Sequence, residues 1–293
     1  MKIRFIVNPL AGGSNRVAEI TKAVREVFAS EQGIFEIKVA NAAGAAGELS
    51  REALKKGYEI IVACGGDGTI HESATPLVGT GATLGIIPLG SGNALARVLG
   101  IPRNIRSAVE MIKDGNARSI DVGVICDRYF FSTAGIGFEA HLSKKYNESS
   151  VIRRIRGLAP YMPLGLVEFF RYAPKEVEIV TEGFSERITP FLLTAANIEQ
   201  YGGGAFISPG AKPDDGLLDL CLVPKINIFK ALNLAYRLFT KKVNNFDGFR
   251  CIRTDRAQIK GLGRSVVQAD GEHFEWEGDV KLGILPGKLK VLT

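Results

Sequence analysis

The stretch Ile60-Ile61-Val62-Ala63-Cys64-Gly65-Gly66-Asp67-Gly68-Thr69-Ile70-His71-Glu72 decides the fold of the chain. A short apolar run ends in three glycines around one acid, and a helical pattern starts at once. This order predicts a buried strand, a tight loop and a helix N-terminus. Such a junction directs backbone N–H groups and the positive end of a helix dipole at one point, which suits a phosphate.

Asp67 is the unusual residue of this loop. An acid beside a phosphate repels it unless the acid holds a cation or takes a proton, so the combination indicates phosphoryl transfer with a divalent metal. Two alternatives stay open: the glycines can form only a tight corner, and Asp67 can cap the helix at Thr69. No Gly-Lys-Ser/Thr follows, and no third glycine has dinucleotide-fingerprint spacing. The stretch is therefore neither of the two common nucleotide loops.

Composition predicts a folded chain with a packed core. The 293 residues are 46% hydrophobic and 23% charged, which allows two domains or one large one. The net charge of +6 gives a weak preference for anionic partners such as nucleotides or acidic lipid surfaces. No nucleic-acid motif is present, so no nucleic-acid partner is expected. A homodimer stays open.

Targeting signals and cysteines indicate a cytoplasmic protein. No segment is apolar for long enough to span a membrane, and the first residues lead directly into an Asn-Pro turn, unlike a signal peptide. The four cysteines are widely separated, which predicts buried free thiols in a reducing compartment. They are Cys64, Cys126, Cys221 and Cys251.

Strands and helices alternate along the first 120 residues. The predicted strands are Ile3–Val7, Phe35–Val39, Glu59–Cys64 and Thr83–Ile87, and the predicted helices are Asn15–Ala29, Ala45–Lys56, Thr69–Val78, Asn93–Leu99 and Arg106–Lys113. This series predicts an α/β domain with a doubly wound parallel sheet. Ligands of such sheets bind beyond the carboxyl ends of the strands.

Three glycine-rich loops follow strands at that edge. They run over residues 8–14, 65–69 and 88–93, the first reading Asn8-Pro9-Leu10-Ala11-Gly12-Gly13-Ser14 and the last Pro88-Leu89-Gly90-Ser91-Gly92-Asn93. One such loop is common in α/β proteins. Three at the same edge of one sheet indicate an anionic ligand.

The pattern changes after Ile120 to short strands separated by turn signals. The predicted strands are Asp121–Ile125 and Tyr129–Thr133 as a hairpin, then Glu176–Val180, Ile188–Ala195, Leu217–Val223, Ile252–Ile259, Val266–Ala269, Val280–Ile284 and Leu289–Leu292. This half is expected to be a second, mostly antiparallel β domain. We predict domains at 1–120 and 121–284, with the C-terminal strand, 285–293, returning to the first.

Two helical stretches lie in the second half, Arg153–Tyr172 and Ile226–Val243. In the first, Arg153-Arg154-x-Arg156 precedes a long apolar run. A basic start followed by apolar residues suits a lipid tunnel wall or a membrane-facing surface. An ordinary buried helix with a solvated end is the alternative for both stretches.

Five motifs together resemble the diacylglycerol kinase and sphingosine kinase family of lipid kinases, over nearly the whole chain. In order they are Asn8-Pro9-x-Ala-Gly, Gly65-Gly66-Asp67-Gly68-Thr69, Pro88-Leu89-Gly90-Ser91-Gly92-Asn93, Asp214-Asp215-Gly216-Leu217-Leu218-Asp219 and Asp270-Gly271-Glu272. The resemblance implies transfer of the ATP γ-phosphoryl group to a lipid hydroxyl at a membrane surface. It also implies an active site in the cleft between an α/β nucleotide domain and a β-rich domain.

The resemblance assigns residues to the nucleotide. ATP would be bound by Asn8, Pro9, Leu10, Ala11 and Gly12, by Gly65, Gly66, Asp67, Gly68, Thr69, Ile70, His71 and Glu72, and by Ser91 on the phosphates. A family threonine after the second strand falls here at Ala40, followed by Asn41. Asp67 is one of two candidates for the catalytic carboxylate.

The resemblance also assigns a metal ligand, a base and a headgroup contact. Asp215 would bind Mg²⁺ with the carbonyls of Lys212 and Leu217, Glu272 would accept the hydroxyl proton, and Glu139 would contact the lipid headgroup. From the residues alone, the adjacent carboxylates at Asp214 and Asp215 favour a cation over a simple turn, whereas Glu272 is favoured as a turn residue between two strands. Glu139 can be a solvent-exposed acid at a helix start.

Two variants point to a branch of the family. His71-Glu72 stands where Asn-Glu is more usual, and Ser91-Gly92-Asn93-Ala94-Leu95 replaces Thr-x-Asn-Asp; both are more similar to sphingosine and ceramide kinases. A kinase of a soluble substrate is the first alternative, since NAD kinases share a related fold and a Gly-Gly-Asp-Gly loop. The second is a non-catalytic lipid- or nucleotide-binding module.

Overall fold

The computed structural model describes residues 2–13, 15–31, 33–148 and 161–293 of the protein. The chain divides into two compact units. The first contains Met1–Ile120 together with Gly287–Thr293, and the second contains Asp121–Pro286. Two parts of the predictions lie outside the described residues. They are Ser14, the last residue of the first glycine-rich loop, and Arg153-Arg154-x-Arg156, the basic start of a predicted helix.

The first unit alternates strands and helices. Its elements are β1 (Ile3–Val7), α1 (Arg16–Val27), β2 (Phe35–Val39), α2 (Ala45–Lys55), β3 (Ile60–Gly65), α3 (Asp67–Ala74), a 3₁₀ turn (Thr75–Leu77), β4 (Thr83–Pro88), α4 (Ala94–Val98) and α5 (Ile105–Asp114). The strands form a parallel sheet in the order β2-β1-β3-β4, and Lys290 and Val291 near the C-terminus continue it beside β4. The predicted doubly wound α/β sheet is confirmed.

Burial explains why this sheet forms. Every residue of β1 and β3 is buried, as expected for parallel strands covered on both faces. Apolar residues of α1 and α5, including Ile20, Val24 and Val109, pack on Phe5 and Val62 of the sheet. Because the strands are parallel, β1, β3 and β4 all end at one edge, where the three glycine-rich loops emerge.

The second unit consists mainly of antiparallel strands, as predicted. Its elements are β6 (Arg128–Phe130), β7 (Thr133–Gly137), α6 (Phe138–Glu148), α7 (Tyr161–Arg171), β8 (Val177–Thr181), β9 (Phe184–Ile188), β10 (Pro190–Ala196), β11 (Gln200–Gly202), β12 (Ala205–Phe206), β13 (Leu218–Pro224), α8 (Ile228–Phe239), a 3₁₀ turn (Val243–Asn245), β14 (Arg250–Thr254), β15 (Arg256–Lys260), β16 (Arg264–Ala269) and β17 (Glu272–Glu277); β5 (Ala117–Ile125) enters the unit and β18 (Val280–Leu292) leaves it.

Two sheets enclose the core of this unit. One has the order β14-β13-β10-β7-β16-β17, and the other contains β15, β8 and β9 with the first residues of β18. Ile179 and Ile259 from one sheet pack with Leu193, Leu220 and Val267 from the other. Alternate residues of each strand therefore meet between the sheets, as in a β-sandwich.

Several predicted boundaries were wrong. Ile252–Ile259 is two strands that separate at Asp255, and Val280–Ile284 and Leu289–Leu292 are parts of the single strand β18. Pro286 lies between the residues of β18 that pair with β15 and those that pair with β4, so its missing N–H breaks neither ladder. The helix α6 was not predicted.

The cysteine prediction was correct for three of the four residues. Cys64, Cys126 and Cys221 are buried free thiols, whereas Cys251 is free but exposed. Cys251 lies on β14, the edge strand of its sheet, directly opposite Cys221 on β13. Within the described ranges, no helix combines the length and the apolar character needed to cross a bilayer.

Candidate functional site

The junction of β3 and α3 is the centre of the candidate site in the first unit. β3 ends at Gly65, Gly66 is extended, and α3 begins at Asp67. The N-cap residue, Gly66, has no side chain with which to cap this helix end. The positive end of the α3 dipole lies at the carboxyl edge of the sheet.

The Asp67 carboxylate binds the neighbouring loop rather than capping α3. Its two oxygens accept hydrogen bonds from the backbone N–H groups of Asn93 and Ala94, each at 2.8 Å. These residues are the N-cap and first residue of α4, and Asn93 has a left-handed backbone, with φ of 50°. Asp67 thus caps α4, a role that neither sequence alternative contained. Its catalytic role stays a prediction.

Asn8 joins the first loop to the same junction. Its side-chain amide donates to the hydroxyl of Thr69 at 3.0 Å, and its side-chain oxygen accepts the N–H of Leu10 at 2.9 Å. The first bond ties the loop after β1 to α3, and the second shapes that loop as an Asx turn. Asn8 and Asp67 together hold the three predicted loops at one place.

Glu72 ties α3 to a further element. Its carboxylate accepts the N–H of Gly44 at 2.9 Å and that of Ala46 at 3.3 Å, at the first turn of α2. α3 therefore carries two acids that satisfy the N-termini of two neighbouring helices. The structure gives Glu72 a positioning contact, and its predicted contact with ATP stays a prediction.

Packing explains three of the glycines. A Cβ at Gly65 would overlap the Thr69 side chain, one at Gly90 would approach the Cα of Gly66 to 2.7 Å, and one at Gly92 would overlap the Asp67 carboxylate. Glycine at these positions lets the loops lie against each other. The tight-corner alternative for the loop at residues 65–69 therefore accounts for Gly65, and the same kind of packing accounts for Gly90 and Gly92.

Gly66 is different from those glycines. Its φ of −94° suits any residue, and the nearest atom to a Cβ placed there, the Cα of Gly90, is at an ordinary 3.5 Å. Neither backbone strain nor internal packing requires glycine at this position.

The other predicted nucleotide residues lie on the same three loops or on α3. Gly12 has a left-handed φ of 77°, Ser91 is exposed, and Leu10 is 80% exposed. Ile70 is only 3% exposed, so its side chain belongs to the core and only its backbone can contribute to a site. Pro9, Ala11, Gly68 and His71 are half-buried.

Asp215 in the second unit is paired with an arginine. Its carboxylate forms an ion pair with Arg253 and accepts the N–H of Leu217 at 3.2 Å. Arg253 also lies 3.4 Å from the carboxylate of Asp219. The stretch is a turn in which the Arg253 guanidinium supplies the positive charge that the carboxylates of Asp215 and Asp219 need.

Protein groups already bind both oxygens of Asp215. One oxygen bonds the Arg253 guanidinium and the other accepts an N–H group, whereas a divalent cation would need these oxygens as ligands. Among the described residues, no group of three His, Cys, Asp or Glu side chains is suited to a metal, but the predicted ligands are one carboxylate and two backbone carbonyls. Mg²⁺ at Lys212, Asp215 and Leu217 therefore stays a prediction, in which the cation competes with Arg253.

The turn also depends on Asp121, which the sequence did not single out. Asp121 is 2% exposed, and its carboxylate accepts the N–H of Gly216 at 2.7 Å. Its own N–H donates to the carbonyl of Pro213 at 2.6 Å. An acid at the start of the predicted apolar strand Asp121–Ile125 was the available signal, but its partner is 95 residues away.

Glu272 begins β17 and is exposed. Asp270 and Gly271 form the two-residue hairpin loop before it, both with positive φ, which is the type I′ turn favoured by Asp-Gly. The Asp270 carboxylate accepts the N–H groups of Phe131, Ser132 and Thr133 at 2.7–3.2 Å. The turn reading of this motif is correct, and Glu272 as a base stays a prediction.

Glu139 is the most unusual carboxyl group of the second unit. It accepts hydrogen bonds from the Thr194 hydroxyl at 2.7 Å and from the Gln268 amide at 3.3 Å, while Tyr201 bonds Thr194. Desolvation by burial raises the pKa of Glu139 to about 7, although the bonds from Tyr201, Thr194 and Gln268 oppose the shift. A Cβ on Gly135 would overlap this carboxylate, which explains the glycine there.

Comparisons with known proteins agree with this architecture. Residues 2–125 match the diacylglycerol kinase catalytic domain, and residues 132–293 match the YegS C-terminal NAD kinase beta sandwich-like domain. A structure of a diacylglycerol kinase from Bacillus anthracis superimposes with a TM-score of 0.77, covering 99% of this chain and 96% of that one. At 22% identity, this last match shows the fold alone.

The fold and the matched domains define a kinase-type class of two-domain α/β proteins. The chain is 30% identical over 294 residues to the diacylglycerol kinase of Bacillus subtilis, covering 98% of this chain and 92% of the relative. It is 33% identical over 218 residues to the "Probable lipid kinase YegS-like" of Chromohalobacter salexigens, covering 73% and 69%. The chain belongs to the diacylglycerol kinase family.

Proposed function

We propose that this protein is a kinase that transfers the γ-phosphoryl group of ATP to the hydroxyl of a lipid of the diacylglycerol or sphingoid and ceramide type. One observation carries the proposal. In a chain of the diacylglycerol kinase family, Asp67 and Asn8 bring three strand-end loops together beside the α3 N-terminus. That arrangement suits a polyphosphate.

The first unit would bind the nucleotide. The extended Gly66 leaves space for a phosphate oxygen to approach the backbone, and the α3 dipole favours the negative charge. Asp67 and Glu72 would act mainly by fixing the loops in which Asn8–Gly12, Gly65–Glu72 and Ser91 are placed. Mg²⁺ would accompany ATP through the phosphates, and no step depends on the turn at Asp215.

The second unit would recognise the acceptor. Glu272 is exposed and rigidly placed at the start of a hairpin strand, so it is available to accept the proton of a lipid hydroxyl. Glu139 would face a lipid headgroup. A sphingoid base carries an amine that can form a charge-assisted hydrogen bond with a carboxylate, whereas diacylglycerol carries no cation.

A kinase of a soluble substrate is the second candidate. It is favoured by the β-sandwich of residues 132–293, whose family description refers to NAD kinase. The relatives named diacylglycerol kinase and "Probable lipid kinase YegS-like" favour the first candidate. The purified chain, incubated with γ-labelled ATP, Mg²⁺ and separate samples of diacylglycerol, ceramide, sphingoid base and NAD, distinguishes the two. Label in a lipid supports the proposal, and label only in NAD replaces it.

A further inference from the structure

One face of α8 exposes large apolar side chains. Phe229 is 79% exposed, Leu232 50%, Tyr236 61% and Phe239 46%. Their spacing of three, four and three residues places them along one side of a single helix. Isolated apolar residues on a surface are normal, whereas a continuous stripe of four marks an interaction surface.

The opposite side of α8 accounts for the position of the helix. Leu234 is 2% exposed, and with Ala231 and Leu238 it packs on a core cluster that includes Phe191 and Val223 of the second unit. α8 is therefore fixed by its inner side. None of the four stripe residues belongs to that core cluster.

Basic residues outnumber acids in the segment that contains the stripe. Residues 220–250 contain six basic side chains, at Lys225, Lys230, Arg237, Lys241, Lys242 and Arg250, and one acid, Asp247. Three of the six are in ion pairs: Lys230 with Asp247 at 2.8 Å, Arg250 with Glu186 at 2.8 Å, and Lys241 with Glu199 at 3.8 Å. In the part of the chain that the structure describes, Lys225, Arg237 and Lys242 form no such ion pair, so three positive charges remain.

We infer that the outer face of α8 is a docking surface for an anionic lipid bilayer, with Phe229, Leu232, Tyr236 and Phe239 inserting at the interface and the flanking cations facing acidic headgroups. A helix with an apolar stripe and lysines or arginines beside it lies in the plane of an interface. Each cation near an anionic surface adds favourable electrostatic free energy. Such docking rests on the proposed function, since a lipid kinase reaches its acceptor at a membrane.

The charge argument separates α8 from the other exposed apolar helix. α7, over its described residues 161–171, exposes Leu166, Val167 and Phe170 but has a single basic residue, Arg171, which is paired with the buried Glu168. Within this described helix there is therefore less positive charge than the three unpaired cations of the α8 segment supply. A second copy of this chain would also be a poor match for the α8 face, because the cations around the two stripes would repel.

Vesicle binding tests the docking surface without nucleotide or acceptor. The full chain is sedimented with vesicles of phosphatidylcholine alone and with vesicles that also contain phosphatidylglycerol. Wild type is expected to bind the mixed vesicles, to bind them less at high salt, and to bind neutral vesicles weakly. Substituting both Phe229→Ser and Tyr236→Ser is expected to weaken binding by at least about tenfold, since each aromatic loses its apolar transfer.

Two further variants complete the design. Leu10→Ser removes an equally exposed apolar side chain, 80% exposed, from the first unit and is expected to leave vesicle binding unchanged. Lys225→Gln with Lys242→Gln removes two exposed charges and is expected to weaken binding to the anionic vesicles about tenfold or more while leaving neutral vesicles unaffected. Phe229, Tyr236, Lys225 and Lys242 are all exposed, so both double variants are expected to fold as wild type.

Three outcomes would overturn the inference: equal binding by wild type and the Phe229→Ser, Tyr236→Ser variant, equal loss in Leu10→Ser, or a wild-type dimer in solution that this double substitution converts to a monomer. The kinase proposal is assayed separately with detergent-dispersed lipid, where the α8 variants are expected to keep the wild-type rate. Vesicle binding without kinase activity leaves docking correct and the proposed function wrong. Kinase activity together with vesicle binding that the variants do not change leaves the proposed function correct and the docking inference wrong.

Discussion

Asp67 and Asn93 are joined by a hydrogen bond of 2.8 Å between the Asp67 carboxylate and the Asn93 backbone N–H, across 26 residues of sequence. The acid that makes the glycine-rich loop unusual therefore fixes the loop after the next strand. Because of this contact, an Asp67 substitution is expected to make the loop after β4 less ordered and to lower the affinity for the nucleotide, in addition to any change in turnover.

Asp67→Asn is expected to lower the free energy of unfolding by about 1.5–3 kcal/mol, because an amide oxygen can accept only part of what the carboxylate accepts from Asn93 and Ala94. Nucleotide affinity, measured by calorimetry with a non-hydrolysable ATP analogue, is expected to fall as well. Asp114→Asn, an exposed acid of the same unit, is the control and should change stability by less than about 0.5 kcal/mol. A stable variant with normal affinity and no turnover would instead assign Asp67 directly to the chemistry.

Substitutions at Gly66 and Gly90 can be compared directly, because packing requires glycine only at position 90. Gly90→Ala is expected to destabilise the fold by about 1–3 kcal/mol, since its Cβ would press on Gly66. Gly66→Ala is expected to cost less than about 1 kcal/mol while weakening ATP binding. Urea unfolding and calorimetry measure the two effects. Unchanged ATP affinity in Gly66→Ala would show that the phosphates bind elsewhere.

Arg253 supplies the positive charge at the Asp215 turn, so the thermal midpoint of wild type is expected to be the same with Mg²⁺ and with a chelator. Arg253→Gln leaves Asp215 and Asp219 without that charge, and Mg²⁺ is then expected to raise the midpoint. Arg250→Gln on the same strand, which removes an ion pair with Glu186, is the control and should not respond. Equal stabilisation of wild type and Arg253→Gln by Mg²⁺ would contradict this and would support a cation bound at Asp215 beside the arginine.

Glu139 predicts a pH dependence of stability. Its pKa is raised from 4.5 to about 7 by burial, so the folded chain holds this proton more tightly than the unfolded chain. The stabilising contribution is complete below pH 4.5 and is lost as the pH rises through about 7. Urea unfolding across this range should therefore show wild type losing stability relative to Glu139→Gln as pH increases. Parallel curves for the two proteins would exclude the shift.

The same substitution separates acceptor types in a kinase assay. If Glu139 contacts an amine-bearing lipid, Glu139→Gln should raise the KM for a sphingoid base more than the KM for diacylglycerol, because only the amine loses a charged partner. Equal changes for both lipids would leave Glu139 as a buried structural acid bonded to Thr194 and Gln268.

Glu272→Gln is expected to reduce kcat by roughly 10²–10⁴-fold, the range for loss of a general base, with little effect on stability because the side chain is exposed. Glu277→Gln, at the other end of β17 and also exposed, is the control. A Glu272→Gln enzyme with full kcat for every lipid would reduce the motif to the hairpin that Asp270 and Gly271 already explain.

The sequence predicted what depends on local pattern. The parallel sheet follows from alternating apolar runs and helices, and the turn at Asp270-Gly271 follows from a dipeptide typical of turns, although the strand β17 after it was not predicted. It also indicated that the loops after β1, β3 and β4 meet, because parallel strands end at a common edge.

Partners distant in sequence could not be predicted. Arg253 is 38 residues from Asp215, and nothing in either segment indicates that an arginine on the neighbouring strand takes the place expected for a cation. Glu72 likewise bonds the N-terminus of α2, 26 and 28 residues away. Such contacts depend on strand order and helix packing, which local periodicity does not specify.

Phosphoryl transfer through the Gly66 loop is the central claim, and one comparison tests it most directly. Wild type and Gly66→Asp, shown by circular dichroism and urea unfolding to be folded, are incubated with γ-labelled ATP and a hydroxyl-bearing lipid, and the extracted lipid is counted. The account predicts labelled lipid phosphate with wild type and none with Gly66→Asp, because a carboxylate would occupy and repel the phosphate position. Equal labelling by the two proteins, or no labelled lipid with wild type for any acceptor, would contradict it.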